Sequence, residues 1–292
     1  MWMKSRLALV ISALLLGAGI TAAPMTVAAQ EASSWRDVPA DRLLVIETSK
    51  GRVLVELFTD VAPTHVERIS TLANQGFYDG HVFHRVISGF MAQTGDPMGT
   101  GGGGSELPDI NAELNFRRGR DNGFVIVEGS GEGLRGLMRG LPVVTQPDSQ
   151  MMVTADFKVG AQGLFCSGVL GMARAGSLNS ANSQFFLMMG REDALNGLYT
   201  PFGRIVDGIE VVGALKAGPE AQDGKVGENP DIMVRVRMAT ELPEGERPVV
   251  QVLRVDSPDA AQLIAETRTA RGPTFNICDV QLPSRVNQAG EG

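Results

Sequence analysis

The sequence predicts a mainly β fold, a barrel with short helices laid over its ends. Two observations carry that expectation. Apolar side chains alternate with period two through segments such as "RVLVELF" and "DIMVRVRMATEL", the period of a strand that buries one face. Helical spacing shows in only two places in the main body, far apart in the chain, and 36 glycines supply turns between many short strands.

The elements follow in order. Residues 1–29 read as a cleaved export signal: Lys4 and Arg6 precede an apolar run from Leu7 to Ile20, and small residues end at Val27-Ala28-Ala29. The run is short for a membrane span and soon meets Pro24. After cleavage, no stable membrane insertion is expected. Residues 30–41 read as a linker. "RLLVIETSKGRVLVELF" then reads as a β-hairpin with a three-residue Ser-Lys-Gly loop, Val53, Val55 and Leu57 sharing one face. "APTHVERISTLANQG" reads as a helix. Pro63 sits in its first turn, Val66, Ile69, Leu72 and Ala73 form its apolar stripe, and Gly76 ends it. His65 falls off that stripe, which places it toward solvent.

"FYDGHVFHRVI" and "GFMAQTGD" read as two short strands broken at Ser88-Gly89, with Met91 and Gln93 on one face. The loop "PMGTGGGGS" lacks the Lys-Ser/Thr of a phosphate loop, so its glycines are read as permitting close backbone approach. Residues 114–165 form an insert, with strands over "GFVIVE" and "QMMVTADFK" and a loop, "GSGEGLRGLMRGLP", between them. "GVLGMARA", "SQFFLMM", a short helix in "GIEVVGALKAG" and a strand in "DIMVRVRMATEL" complete a domain spanning residues 42–242. Residues 243–292 read as a β-α-β extension: a strand in "RPVVQVLRVD", a helix from the Ser257 N-cap to Gly272, and a strand in "TFNICDVQLP". It is too small to stand alone and is expected to pack on the barrel.

Composition narrows the chemistry. A net charge of −7 and a pI near 5.1 disfavour nucleic acid or an anionic membrane as partner. Cys166 and Cys278, in a compartment that permits disulfides, are either one bridge or two buried thiols. Of the three histidines, His81 and His84 stand three apart in a β segment and so face opposite sides. No metal site is expected. No dinucleotide fingerprint, G-x-S-x-G or H-E-x-x-H motif is present, and no nucleophile–base pair suggests a hydrolase.

What remains is Arg85 in "VFHRVISGFMAQTGD", a guanidinium among apolar and amide side chains. Such an arginine snorkels, pairs with a distant carboxylate, or serves a reaction that wants a fixed donor in a greasy pocket. Here three blocks carry a resemblance. "FHRVISGFMAQTGD" resembles the signature of the cyclophilins, and "GVLGMARAGSLNSANSQFFLMM" followed by "LNGLYTPFGRIVDG" resembles their second half. "APTHVERISTLANQGFYDGHVFHRVI" is similar to the family's first helix and the strand after it.

The resemblance implies a closed eight-stranded antiparallel barrel capped by two helices, and peptidyl-prolyl cis-trans isomerase activity without a cofactor. It implies Arg85 as the donor to the prolyl nitrogen, and Gln93 as its support or as a contact to the substrate carbonyl. Phe90, Met91, Phe186 and Leu195 would form the proline pocket, with Gln184 and the backbone of Ala173, Arg174 and Ala175 along the groove and Gly99 near it. Arg174 stands where many members have asparagine, Tyr199 where histidine is common, and Ala194 where many carry tryptophan, which implies weak cyclosporin binding. The insert, longer than the usual connection, would border the groove and could gate or extend substrate binding. The expected clients are proline-containing segments of exported proteins, in a Gram-negative periplasm. The rival is a module of the same shape that holds such segments without turnover.

Overall fold

The computed structural model describes residues 33–129 and 133–288; the expected export signal lies outside them. Strand β1 (Trp35–Asp37) precedes a hairpin of β2 (Leu43–Thr48) and β3 (Gly51–Leu57), and helix α1 (Pro63–Asn74) follows. Next come β4 (Arg85–Ile87) and β5 (Met91–Thr94). The insert carries β6 (Phe116–Arg118), β7 (Phe124–Glu128), β8 (Leu134–Met138), β9 (Leu141–Thr145) and β10 (Val159–Gly163). The chain returns through β11 (Val169–Arg174), β12 (Ala181–Met188), β13 (Pro201–Asp207), α2 (Ile209–Gly213) and β14 (Met233–Met238). The extension holds β15 (Pro248–Leu253), α3 (Pro258–Arg271) and β16 (Ser284–Gln288).

Eight strands make one curled antiparallel sheet in the order β14-β2-β3-β13-β11-β12-β5-β4. The expected closed barrel is in fact open. Its edge strands β4 and β14 form no ladder; only the segments leading into them meet, at the isolated bridge of Val82 with Ile232. The reason lies on β4, whose outer edge is already taken. Val86 N–H donates to Gly224 O at 2.8 Å, and Val226 N–H to His84 O at 2.9 Å, so a loop fills the place a ladder to β14 would need.

The hairpin shows why "LLVI" is apolar without a break. Leu44 and Ile46 face the main core with Val53, Val55 and Leu57, while Leu43, Val45 and Leu54 face a second core with Val250 and Val252. A strand covered on both faces loses the alternation of a half-buried one. Thr48 pairs directly with Gly51, so the connecting loop has two residues, Ser49 and Lys50, and not the expected three.

The second core exists because the expected linker is partly a strand. β1 pairs with β15, and β15 with β16, all antiparallel. The extension is therefore a three-stranded sheet borrowing a strand from residues 30–41, not a free-standing β-α-β unit. "TFNICDVQLP" is not a strand. It forms short 3-10 turns at Gly272–Thr274 and Ile277–Asp279, the latter capped by Asn276. Cys166 and Cys278 are bridged, with Cα atoms 5.1 Å apart, which joins the end of the insert to the extension. On the chain-entropy account, a closure of this length contributes about 4–5 kcal/mol at most.

The insert is a sheet of its own, ordered β6-β10-β9-β8-β7. Two expectations fail there. The supposed loop "GSGEGLRGLMRGLP" contains most of the β8–β9 hairpin, turned by Arg139 and Gly140. Gly136 hides it by breaking the alternation, and a side chain there would strike Val125 O and the Phe124 ring. "QMMVTADFK" is instead a 3-10 turn over Asp148–Val153.

A polar knot ties these parts together. Arg36 of β1 grips Glu56 of β3 with two hydrogen bonds, 2.7 and 2.8 Å long, and also donates to Arg139 O of the insert. Arg204, registered opposite Glu56, donates to Gly140 O of the insert and to Gln281 Oε1 of the extension.

Candidate active site

Arg85 opens β4 and is 30% exposed. The turn at Ser88-Gly89 folds β4 onto β5, so Arg85 lies directly across from Gln93, and β12 brings Phe186 across from Gln93 on the other side. One face of three adjacent strands thus carries a donor, an amide and an aromatic ring. A cavity of about 570 Å³ opens over that face. Met91 and Phe186 are buried in its floor, Phe90, Leu195 and Tyr199 are half-buried around it, and Phe186 meets Tyr199 edge to face at 5.7 Å.

The polar groups converge. Arg85 Nη1 donates to Gln93 Oε1 at 3.4 Å and approaches Met91 Sδ at 4.0 Å. Gln93 Nε2 donates to Gln184 Oε1 at 2.9 Å, and Gln184 Nε2 donates to Gly103 O at 2.7 Å. This amide chain fixes Gln93 from behind and leaves Arg85 at the apolar wall. A second hollow of about 350 Å³ continues from the first past Ala173, Arg174, Ala175 and Gln184. Arg174 spans its edge, donating from Nε to Leu198 O and from Nη1 to Ala175 O, with its guanidinium 4.6 Å over the Tyr199 ring.

Most expected site residues therefore gather in one place, with exceptions. Gly99 lies beside Val82 and lines neither hollow; Thr100 and Gly101 take that position. Among the described residues, none of the 114–165 insert lines the larger cavity. The insert's β8–β9 turn is held by Arg36 of β1 and by Arg204, which also binds Gln281 of the extension. Behind the pocket the insert's Phe165 packs 5.6 Å from the Phe186 ring, its N–H donates to Asn196 Oδ1 at 2.8 Å, and Gln162 lies against Gly197.

His65 is fully buried rather than solvent-facing. Its Nδ1 lies 2.7 Å from Glu113 Oε2, and the same carboxylate accepts from the backbone of Thr64 and His65. An acid from outside the helix caps α1, which no spacing within the helix reveals. Sequence reasoning also missed His84 and Asp223 at the cavity. Burial holds the His84 imidazole below its usual range, against the pull of Asp96, so it stays neutral at pH 7.

The glycine loop folds around Asp96. The carboxylate accepts from the backbone N–H of Met98, Thr100 and Gly101 at 2.6–2.8 Å. Burial alone would raise this acid, but the backbone N–H groups of Met98, Gly103, Thr100 and Gly101 bring it down to about 2. With a lowered folded value, its stabilisation is complete above the unfolded carboxyl's 3.8 and is lost as pH falls toward 2. The contribution is about 2 kcal/mol. Urea midpoints of the parent and Asp96→Asn are expected to differ at pH 6 and to converge near pH 2; a gap independent of pH would refute the assignment.

Comparison with known proteins agrees with this geometry. The family "Cyclophilin type peptidyl-prolyl cis-trans isomerase/CLD" matches residues 43–238. The chain belongs to the cyclophilins. It is an enzyme of the peptidyl-prolyl cis-trans isomerase class, as its relatives are named. This cyclophilin is 32% identical over 212 residues to a Brucella suis protein named "Probable peptidyl-prolyl cis-trans isomerase", covering 69% of this chain and 84% of that one. It is also 32% identical over 207 residues to peptidyl-prolyl cis-trans isomerase-like 1 of Aspergillus oryzae, covering 70% and 97%. Among solved structures it is similar to cyclophilin AquaCyp293 from Hirschia baltica, with a TM-score of 0.78 and 33% identity over 87% of this chain and 94% of that one. That share exceeds what residues 43–238 supply, so the likeness extends beyond the family domain.

Proposed function

We propose that this cyclophilin accelerates rotation about X-Pro bonds in segments of exported proteins, with Arg85 donating to the prolyl nitrogen. The observation that carries the reading is the position of Arg85 Nη1 beside Met91, in a hollow whose apolar wall is made by Phe90, Met91, Phe186 and Leu195. Amide resonance opposes the rotation by roughly 18–20 kcal/mol. As the bond twists, the nitrogen pyramidalises and its lone pair becomes an acceptor. A donor fixed there stabilises the twisted form more than either planar one. The apolar walls of Phe90, Met91, Phe186 and Leu195 orient the ring and lower the local dielectric, which strengthens that bond.

The test is NMR exchange spectroscopy on an uncharged Ala-Pro-Phe peptide with and without the protein. Acceleration at substoichiometric protein supports the reading. Line broadening from binding without faster exchange would make the chain a holding module instead. Export to a periplasm is part of the same proposal; fusing residues 1–40 to a reporter active only outside the cytoplasm tests it.

Ala194 is exposed on a 3-10 turn beside the pocket, and a small side chain there offers no stacking surface or N–H donor. Cyclosporin is expected to bind weakly, and Ala194→Trp to tighten it by at least tenfold. Sub-micromolar binding by the parent would refute this.

A further inference from the structure

The mechanism above asks one nitrogen of a long, flexible side chain to stay aimed at a small target, and the structure shows what holds it from the other side. Arg85 Nε donates to Asp223 O at 3.0 Å, and Nη2 donates to Asp223 Oδ1 at 2.8 Å. Only Nη1 is left toward Gln93 and the pocket. We propose that Asp223 is a positioning residue that clamps Arg85 so that Nη1 alone faces the substrate. The inference rests on the reading of Arg85 as the donor.

The backbone is arranged for this grip. Asp223 has φ 54° and ψ 36°, the left-handed region, which short polar side chains such as Asp and Asn tolerate. There its carbonyl and its carboxylate reach the same guanidinium. The turn is locked by Asp223 N–H to Glu220 O at 2.9 Å and Gly224 N–H to Pro219 O at 3.1 Å. It is keyed to β4 on both sides of Arg85, through Val86 N–H to Gly224 O and Val226 N–H to His84 O. Gly224 lies so close to Ile87 and Val86 O that a side chain would collide with them. The hydrogen bond from Arg85 holds the Asp223 carboxyl below the usual carboxylate range, so it is charged at neutral pH.

Stability is a poor explanation for the pair. The Asp223 side chain is 78% exposed, and exposed ion pairs contribute little to folding. Orientation is the better one, because a misaimed donor forfeits rate while binding survives.

The test compares Asp223→Ala, Asp223→Asn, Arg85→Ala and the Asp223→Ala/Arg85→Ala double variant by exchange spectroscopy on the uncharged peptide. Asp223→Ala is expected to slow exchange about tenfold, with the peptide dissociation constant within about twofold of the parent. Asp223→Asn keeps an acceptor without the charge and is expected to fall between. The double variant is expected to match Arg85→Ala alone, since a residue acting through Arg85 has nothing left to position. The Arg85 Nη2–H resonance, whose acceptor is the Asp223 carboxylate, is expected to broaden or vanish in Asp223→Ala, while the Nε–H resonance, whose acceptor is the backbone carbonyl, persists; a general loosening of the turn would take both.

An Asp223→Ala rate equal to or above the parent's would overturn the inference, as would a tenfold loss that persists on top of Arg85→Ala. If Arg85→Ala itself keeps the parent rate, the donor reading fails instead. If the alanine variant does not fold, the asparagine variant carries the same comparison, since asparagine adopts the left-handed region readily.

Discussion

Replacing Arg85 with alanine is expected to slow catalysed exchange by about two orders of magnitude or more, roughly 3 kcal/mol of transition-state stabilisation. The donor is needed only while the prolyl nitrogen is pyramidal, so its loss acts on the twisted state and leaves the planar ones nearly untouched. The walls of Phe90, Met91, Phe186 and Leu195 remain, so peptide affinity is expected to persist while turnover collapses. Arg85→Lys keeps the charge but not the fork that lets Nε and Nη2 bind Asp223 while Nη1 faces the pocket. It is expected to recover little. Exchange spectroscopy at matched protein concentration reads both variants, and an alanine variant within threefold of the parent would remove Arg85 from the mechanism.

The second large effect is on folding. Glu56→Gln is expected to destabilise the protein by about 3–5 kcal/mol, the usual cost of removing one partner from a buried ionic knot. Glu56 is 3% exposed and holds Arg36 in a two-pronged grip. Burial pulls the neighbouring Arg204 down to about 10, and the Glu56 charge opposes that fall. Without the carboxylate, two guanidinium groups share the space with only carbonyl and amide oxygens. Thermal unfolding is expected near ten degrees lower, at about 2–4 °C per kcal/mol for a chain of this size. Because Arg36, Arg139, Gly140 and Gln281 meet there, the N-terminal strand, the insert and the extension should loosen together, as protease sensitivity would show. A change below about 1 kcal/mol would mean the knot is already well solvated.

The site was legible where its residues are close in sequence. Arg85, Met91 and Gln93 fall within one hairpin, where the period of two puts them on one face once the turn at Ser88-Gly89 is recognised, and Phe90 joins them from that turn. Phe186 and Gln184 share a strand with the same period. Asp223 was not legible, since it lies 138 residues from Arg85 and nothing in its own segment marks it. His65 misled for a similar reason. Its helix stripe excluded it, but Glu113 arrives from 48 residues away to receive it. The glycines after Asp96 do let backbone pack closely, since a side chain at Gly103 would strike Asp96 Oδ1, and Gly101 rather than Gly99 lines the groove. Strands β8 and β9 were lost because Gly136 and the Arg139-Gly140 turn look like loop composition.

The β-rich character of the domain, helix α1, the family and most of one wall of the pocket can be read from the chain alone. These depend on local period and on motifs that act within a few residues. Only the tertiary structure decided that the sheet stays open, because a distant loop occupies the edge of β4. It alone decided that residues 35–37 join the extension's sheet, that Cys166 meets Cys278, and that an aspartate stands behind the arginine. Those outcomes depend on which distant surfaces meet, and a hydrogen bond or an ion pair leaves no periodic trace in the chain that supplies its partner.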